Sequence, residues 1–246
     1  MFDSISPLSL MVILLTSLIA SLISGIAGFG GALFLLPVIS LFIDIKLAVP
    51  ILTIGQIFGN GSRVFFGRKD LSWKPILYFL LTALPLTVVG SYLFTVLNGQ
   101  IIKLVVGILL LLLVSYRRIN KKEYYIKNNG MLVGGSLTGF ISGIAGSAGP
   151  LGAAFFLGLG LTPSSYIASE AVTALSMHIV KTVVYQKYSD VGLYELYIGV
   201  LVGSVMILGS WIGKKIIGKI KKEYFIYIVE FLMVITGIQM IIGYFT

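Results

Sequence analysis

The hexapeptide Ile23-Ser24-Gly25-Ile26-Ala27-Gly28 recurs unchanged, 118 residues later, as Ile141-Ser142-Gly143-Ile144-Ala145-Gly146. Further identities follow both copies in the same order: Gly31 with Gly149, Thr53 with Thr173, Asp70 with Asp190, and Gly90-Ser91 with Gly209-Ser210. Ordered matches at a nearly constant spacing are much rarer by chance than one shared hexapeptide. The sequence therefore predicts two homologous halves, residues 1–125 and 126–246, joined near the polar stretch 120–129.

The composition is that of a membrane protein. Hydrophobic residues make up 57% of the 246 residues and charged residues 11%, whereas a soluble domain carries about 25% charged residues. Apolar runs such as 8–22, 75–97 and 225–245 are near or above the roughly 18–20 residues that cross a hydrocarbon core. These runs are continuous, whereas the strands of a membrane barrel alternate. The sequence therefore predicts an all-α integral membrane protein whose halves form one transmembrane domain.

Each half contains five apolar segments. They cover residues 8–25, 29–43, 47–66, 75–97 and 100–116 in the first half, and 131–145, 149–161, 164–186, 193–213 and 224–245 in the second. The first two segments of each half are short and meet at a glycine-rich turn. Each such pair is either two thin spans or two half-helices that re-enter the membrane. The sequence thus predicts eight to ten helices, some of them re-entrant or broken at these turns.

The basic residues account for the net charge of +9. Three clusters lie between apolar segments: Arg68, Lys69 and Lys74; Arg117, Arg118, Lys121, Lys122 and Lys127; Lys214, Lys215, Lys219, Lys221 and Lys222. Excess lysine and arginine is typical of cytoplasmic loops. This interpretation is favoured over an RNA- or lipid-specific patch, and no nucleic-acid partner is expected.

The number of crossings sets the orientation of the halves. An odd number per half makes them insert in opposite directions and form an inverted repeat. This topology places both termini outside the plasma membrane and all three basic clusters in the cytoplasm. If each glycine-rich pair counted as one crossing, the halves would be parallel and the third cluster would lie on the opposite side.

The repeated turn resembles a known family. Two halves that each open on Ser-Gly-Ile-Ala-Gly, followed by an apolar helix and a polar-faced helix, are similar to the TauE/SafE family of sulfite and organosulfonate exporters. The similarity covers nearly the whole chain and is most specific at 24–37 and 139–152. The second turn departs from the glycine-rich pattern, reading Gly146-Ser147-Ala148-Gly149-Pro150. The resemblance implies transport of a small anion, either sulfite or an organosulfonate or organosulfur carboxylate.

The glycine-rich turns are candidate anion ligands: Gly28, Gly30 and Gly31 in the first half, and Gly146, Ser147 and Gly149 in the second. A helix that restarts there would direct free backbone N–H groups and its positive dipole end toward an anion. The alternative is close helix packing, for which glycine is common in membrane helices. Repetition of the turn in both halves favours the binding role.

The third segment of each half carries a polar face: Thr53, Gln56, Asn60 and Arg63 in the first half, and Glu170, Thr173, Met177 and Lys181 in the second, with His178 on its flank. Their spacing puts each set on one side of a helix. Charged groups in a span normally face a cavity or a partner, so the two faces predict a central substrate site. Glu170 and His178 are candidates for carrying a coupled proton. Alternatively, Arg63 and Lys181 extend to the membrane interfaces and Glu170 lies near a helix end.

No catalytic residue, metal site or cofactor is expected. Cysteine is absent, and no Walker-type phosphate loop occurs. A secondary transporter driven by a proton or sodium gradient is therefore favoured, with the anion, the coupling ion and lipid as partners. The alternatives are a passive anion channel and a membrane scaffold or assembly factor. The scaffold predicts that the two polar faces bury against each other without a cavity. The sequence does not specify the oligomeric state.

We expect cysteines introduced as Asn128→Cys and Lys219→Cys to be labelled only from the cytoplasmic side, because both positions adjoin basic clusters. The parent chain contains no cysteine and is the unlabelled control. A membrane-impermeant maleimide should label each variant only after the cells are permeabilised. Labelling of Lys219→Cys in intact cells would contradict the inverted arrangement.

Overall fold

A computed structural model describes residues 5–119, 127–189 and 191–216, together with residues 231, 234, 235, 237, 238 and 241–245. These residues form nine helices and no strand: α1 (Pro7–Ala27), α2 (Gly31–Ser40), α3 (Ile45–Gly67), α4 (Trp73–Val96), α5 (Gly99–Ile119), α6 (Gly130–Ala145), α7 (Gly149–Leu157), α8 (Pro163–Tyr188) and α9 (Leu193–Ile216). The described residues between 231 and 245 are also helical. Helices α1, α4, α8 and α9 are long and apolar enough to cross a membrane. The predicted all-α membrane fold is confirmed.

The helices follow the predicted segments closely. Helices α1 to α5 correspond to the first predicted half, and α6 to α9 to the first four segments of the second. The last segment, 224–245, lies partly outside the described residues, as does the boundary between 125 and 126. The division into halves therefore stays a prediction at that boundary.

Both glycine-rich turns break a helix. Helix α1 ends at Gly28 (φ 81°) and α6 ends at Gly146 (φ 73°), in the left-handed conformation that glycine adopts without strain. The chain resumes as α2 at Gly31 and as α7 at Gly149. With 10 and 9 residues, these helices extend only about 15 Å each. That is about half of a hydrocarbon core of about 30 Å, so neither crosses a membrane alone.

The helices of the two halves interlock. Helix α1 packs on α9 and its counterpart α6 packs on α4, while α3 packs on α9 and its counterpart α8 packs on α4. Helices α3 and α8 also pack on each other. Exchanging the two halves turns the α1–α9 contact into the α6–α4 contact and the α3–α9 contact into the α8–α4 contact, and it leaves the α3–α8 contact unchanged. This pattern is expected of two halves related by a two-fold axis through the α3–α8 contact. Whether the halves are inverted depends on their orientation in the membrane and stays a prediction.

Glycines allow the interlocked helices to approach closely. Between α4 and α6, a Cβ atom on Gly143 would lie 2.6 Å from the backbone nitrogen of Ser91. Between α1 and α9, a Cβ atom on Gly213 would lie 2.8 Å from the carbonyl oxygen of Leu22. Both distances are shorter than van der Waals contact with rigid backbone. The two equivalent interfaces therefore both depend on small residues, as membrane helix pairs often do.

We expect Gly143→Ala to lower the free energy of unfolding by about 1–3 kcal/mol, because the methyl group pushes α6 away from α4. Thermal unfolding of the protein in detergent measures the effect. Gly61→Ala is the matched control, since a Cβ atom on Gly61 of α3 would meet no atom within 4 Å. Equal midpoints for the two variants would show that the α4–α6 contact tolerates a side chain.

Candidate functional site

A small cavity lies where the two halves meet. Its volume is about 30 Å³, which is room for about two waters. Helices α1, α2, α3, α4, α6, α7 and α8 all contribute to its lining, and both glycine-rich turns reach it. The cavity therefore joins the two features that the sequence singles out, the broken helices and the polar faces.

Ten of the fourteen residues singled out in the sequence line this cavity: Gly30, Gly31, Gln56, Asn60, Arg63, Ser147, Gly149, Glu170, Thr173 and His178. The other four do not line it. Gly28 and Gly146 accept hydrogen bonds at the ends of α1 and α6, and Thr53 and Lys181 are buried. The structure thus brings the two polar faces together, and their binding and coupling roles stay predictions.

The guanidinium group of Arg63 caps the end of α1. Its Nη1 donates to the carbonyl oxygens of Gly28 at 2.5 Å and Ser24 at 3.4 Å, and its Nη2 donates to Oδ1 of Asn60. The last carbonyls of a helix lack intrahelical partners and carry partial negative charge. A cation therefore stabilises the point where α1 stops. Arg63 is only 7% exposed, so the alternative in which it extends to the membrane interface is wrong.

Lys181 caps the end of α6 in the same way. It occupies the position 118 residues after Arg63. Its Nζ donates to the carbonyl oxygen of Gly146 at 2.7 Å and to Oγ of Ser142 at 3.1 Å, and both acceptors belong to the second copy of the hexapeptide. Lys181 is fully buried, which excludes the interfacial alternative here as well. In this structure the ammonium group holds a helix end and does not face the cavity.

An ion pair connects the two halves. Oε2 of Glu170 on α8 lies 3.4 Å from Nη1 of Arg63 on α3, and both side chains are buried. Helix α8 begins at Pro163, so Glu170 lies well inside it. The alternative that places Glu170 near a helix end is therefore wrong. The carboxylate balances one of the two buried cations at the centre of the molecule.

Among the residues that the structure describes, four polar atoms of cavity-lining side chains have no hydrogen-bond partner: Nε2 of Gln56, Nε of Arg63, Oγ1 of Thr138 and Nδ1 of His178. All four residues are more than nine-tenths buried. An unpartnered buried polar atom costs about 1–3 kcal/mol, so such atoms are rare. Amide, guanidinium and hydroxyl groups can all donate to an acceptor in the cavity. These four residues therefore bring unpartnered polar groups to the wall of one cavity.

The restarting helices offer fewer backbone donors than the sequence suggests. The N–H of Gly31, at the start of α2, already donates to Oγ of Ser24 at 2.9 Å. In α7, Pro150 follows Gly149 and has no N–H to offer. Unpartnered donors at the cavity therefore come from side chains, and the turns mainly shape the cavity.

The family model described as "Sulfite exporter TauE/SafE" matches residues 13–240, nearly the whole chain. The chain belongs to the TauE/SafE family. Members of this family are membrane transporters and not enzymes. No curated protein and no solved structure matches the chain. The resemblance inferred from the repeated turn is confirmed, and this chain is a multi-pass membrane transporter.

Three residues at the centre of this TauE/SafE chain were missed in the sequence. Ser24 and Ser142 line the cavity and belong to the repeated hexapeptide, whose serines could have been considered along with its glycines. Thr138 also lines it. Nothing in the local pattern of α6 distinguishes this threonine from a packing residue, so only the three-dimensional structure identifies it.

We expect Arg63→Met to lower the free energy of unfolding by about 3–5 kcal/mol, because it leaves the Glu170 carboxylate buried without its cation. The double variant Arg63→Met/Glu170→Gln should recover part of this loss, since it removes the unpaired charge. Thermal unfolding in detergent measures both.

Arg68→Met is the matched control for this substitution. Arg68 is exposed at the end of α3, where a charge contributes less than about 1 kcal/mol. If Arg63→Met were as stable as Arg68→Met, the ion pair and the cap on α1 would contribute nothing measurable to the fold.

Proposed function

We propose that this chain exports a small anion, sulfite, through the central cavity. The observation that carries the proposal is the set of four unpartnered polar atoms around that cavity, on Gln56, Arg63, Thr138 and His178. An anion that leaves water loses hydration worth many kcal/mol and needs several donors at once. Sulfite has three oxygens that can accept from such donors.

The size of the cavity favours sulfite over an organosulfonate or organosulfur carboxylate. A volume of about 30 Å³ is already small for the four heavy atoms of sulfite. A longer organic anion requires a larger rearrangement of the surrounding helices. The family description also names sulfite. We therefore assign the smallest of the candidate anions to this site.

The same geometry favours a secondary carrier over the two alternatives. A channel needs a continuous path across the membrane, and a cavity of about 30 Å³ is far too short for one. A scaffold predicts polar faces that meet without a cavity, whereas a cavity lies between them here. In alternating access, two homologous halves exchange their conformations around a central site. The matching helix contacts of the two halves support that mechanism here. Flux against the sulfite gradient, driven by an imposed ion gradient, distinguishes the carrier from the channel.

The positions of basic residues support the inverted topology, with cytoplasmic basic loops and both termini outside. Lys74 and Lys127, from the first two clusters, line one surface groove. Lys214, from the third cluster, donates a hydrogen bond to the carbonyl oxygen of Phe66, two residues before Arg68. The three clusters therefore lie toward one end of the helices, whereas parallel halves would separate the third from the others.

We expect Gln56→Leu to raise the half-saturating sulfite concentration about ten- to a hundredfold, because it removes one donor worth about 1–3 kcal/mol. Sulfite flux into proteoliposomes measures the change. Gln100→Leu, the same substitution at an exposed position on α5, should leave the flux unchanged. Asn60 is a poorer choice, since its side chain already bonds Arg63 and the backbone of Gln56.

Parent-like flux in a correctly folded Gln56→Leu variant would place the anion elsewhere in the molecule. Parent protein that moves no sulfite would contradict the substrate assignment itself.

A further inference from the structure

We propose that Glu170 competes with the transported anion for Arg63, so that each anion travels together with one proton bound to Glu170. This inference rests on the proposed function, because it assumes that the anion occupies the central cavity. It adds the coupling ion and the residue that carries it.

The repeat supplies an internal comparison for the role of Glu170. Arg63 and Lys181 occupy equivalent positions and cap equivalent helix ends, at Gly28 and Gly146. Glu170 pairs with Arg63, yet the position 118 residues before it is Leu52, which is apolar and buried. Lys181 therefore shows that a capping cation can hold its helix end without a carboxylate at the equivalent position. The carboxylate of Glu170 is an extra group that lies beside Arg63 and has no counterpart at Lys181.

The carboxylate lies close to the donor of Arg63 that is open to an anion, the unpartnered Nε. Oε2 of Glu170 lies 3.4 Å from Nη1 of Arg63, the adjacent Nε has no partner, and both residues line the cavity. An anion in a cavity of about 30 Å³ lies within a few ångströms of the carboxylate. Two negative charges at that distance repel by several kcal/mol at an effective dielectric near 20. The ionised carboxylate and the anion therefore exclude each other.

Protonation of Glu170 removes this conflict. A proton from water on the open side binds Oε2, the ion pair with Arg63 breaks, and anion oxygens accept from Nε of Arg63 and from the neutral donors of the cavity. On the opposite side the anion leaves, Glu170 releases its proton to water, and the ion pair forms again. Anion and proton thus move in the same direction, so export is driven by the outward gradient of the anion and opposed by an inward proton gradient. Binding of each favours binding of the other by the same factor.

Few other charged groups face Glu170. Among the described residues, the titratable side chains that line the cavity are Arg63 from α3 and His178 from α8, besides Glu170 itself, while the lining residues from α1, α2, α4, α6 and α7 are not titratable. Lys181 lies behind the lining, bound to Gly146 and Ser142. Of these groups, only Glu170 and Arg63 form an ion pair in the described structure.

The experiment compares sulfite binding to the purified parent and to Glu170→Gln by titration calorimetry, in buffers of different ionisation enthalpy and at several pH values. Sulfite also binds protons, but it does so equally in the experiments with both proteins. The difference in proton uptake between the parent and Glu170→Gln therefore reports the proton bound by Glu170. We expect the parent to take up one more proton per bound sulfite than Glu170→Gln. With each unit of rising pH, the sulfite dissociation constant of the parent should rise about tenfold more than that of Glu170→Gln, because one proton is linked to binding.

Controls separate Glu170 from its neighbours. Glu170→Asp retains a carboxylate and should retain the extra proton. His178→Gln removes the other titratable side chain of α8 that lines the cavity; it should weaken sulfite binding but retain the extra proton. Equal proton uptake by the parent and a folded, sulfite-binding Glu170→Gln variant would overturn the inference, as would loss of the extra proton only in His178→Gln.

A second measurement uses the parent protein alone, so that a variant which fails to fold does not matter. Infrared difference spectra of the parent should show a protonated carboxyl band appearing when sulfite binds. If sulfite binds without that band, Glu170 stays ionised and the inference is wrong. If the parent binds no sulfite at all, the proposed function fails first, which is a distinguishable result.

Discussion

The architecture depends on a cation bound to the end of a helix that stops inside the protein. A helix end leaves carbonyl oxygens without intrahelical partners, and in a membrane interior no bulk water can satisfy them. Arg63 binds the carbonyl oxygen of Gly28 at the end of α1, and Lys181 binds that of Gly146 at the end of α6. Because these ends are satisfied, the chain can turn at Gly28 and Gly146 and restart as short helices. The cavity lies between the two restarts.

This constraint also explains why the halves interlock. The two cations lie on α3 and α8, which pack on each other, and each of these helices also packs on the fourth helix of the other half. A change in the α3–α8 contact therefore acts on both broken helices at once. Tyr166 of α8 adds a further link, since its hydroxyl donates to the carbonyl oxygen of Ala27 in the opposite half. These non-covalent contacts between the halves suit a transporter in which both halves change conformation together.

Much of the fold could be predicted from the sequence, because continuous apolar runs and left-handed glycine turns are encoded locally. The polar face with Gln56, Asn60 and Arg63 could be predicted from helical spacing alone. The partners of its residues could not be predicted, since they depend on which helices meet. Arg63 and Lys181 both seemed available to an anion, yet their donors largely bind helix carbonyls. Thr138 could not be identified for the same reason, because its significance arises only from the cavity that α6 lines together with helices of both halves.

The use of the cations as caps limits how strongly the site can hold an anion. Most donors of Arg63 are committed to Gly28, Ser24 and Asn60, and Lys181 does not line the cavity. An anion therefore meets neutral donors and one edge of a single guanidinium group. Such a site binds weakly compared with two free cations. A transporter benefits from that weakness, because an anion held too tightly at the centre is not released on the other side.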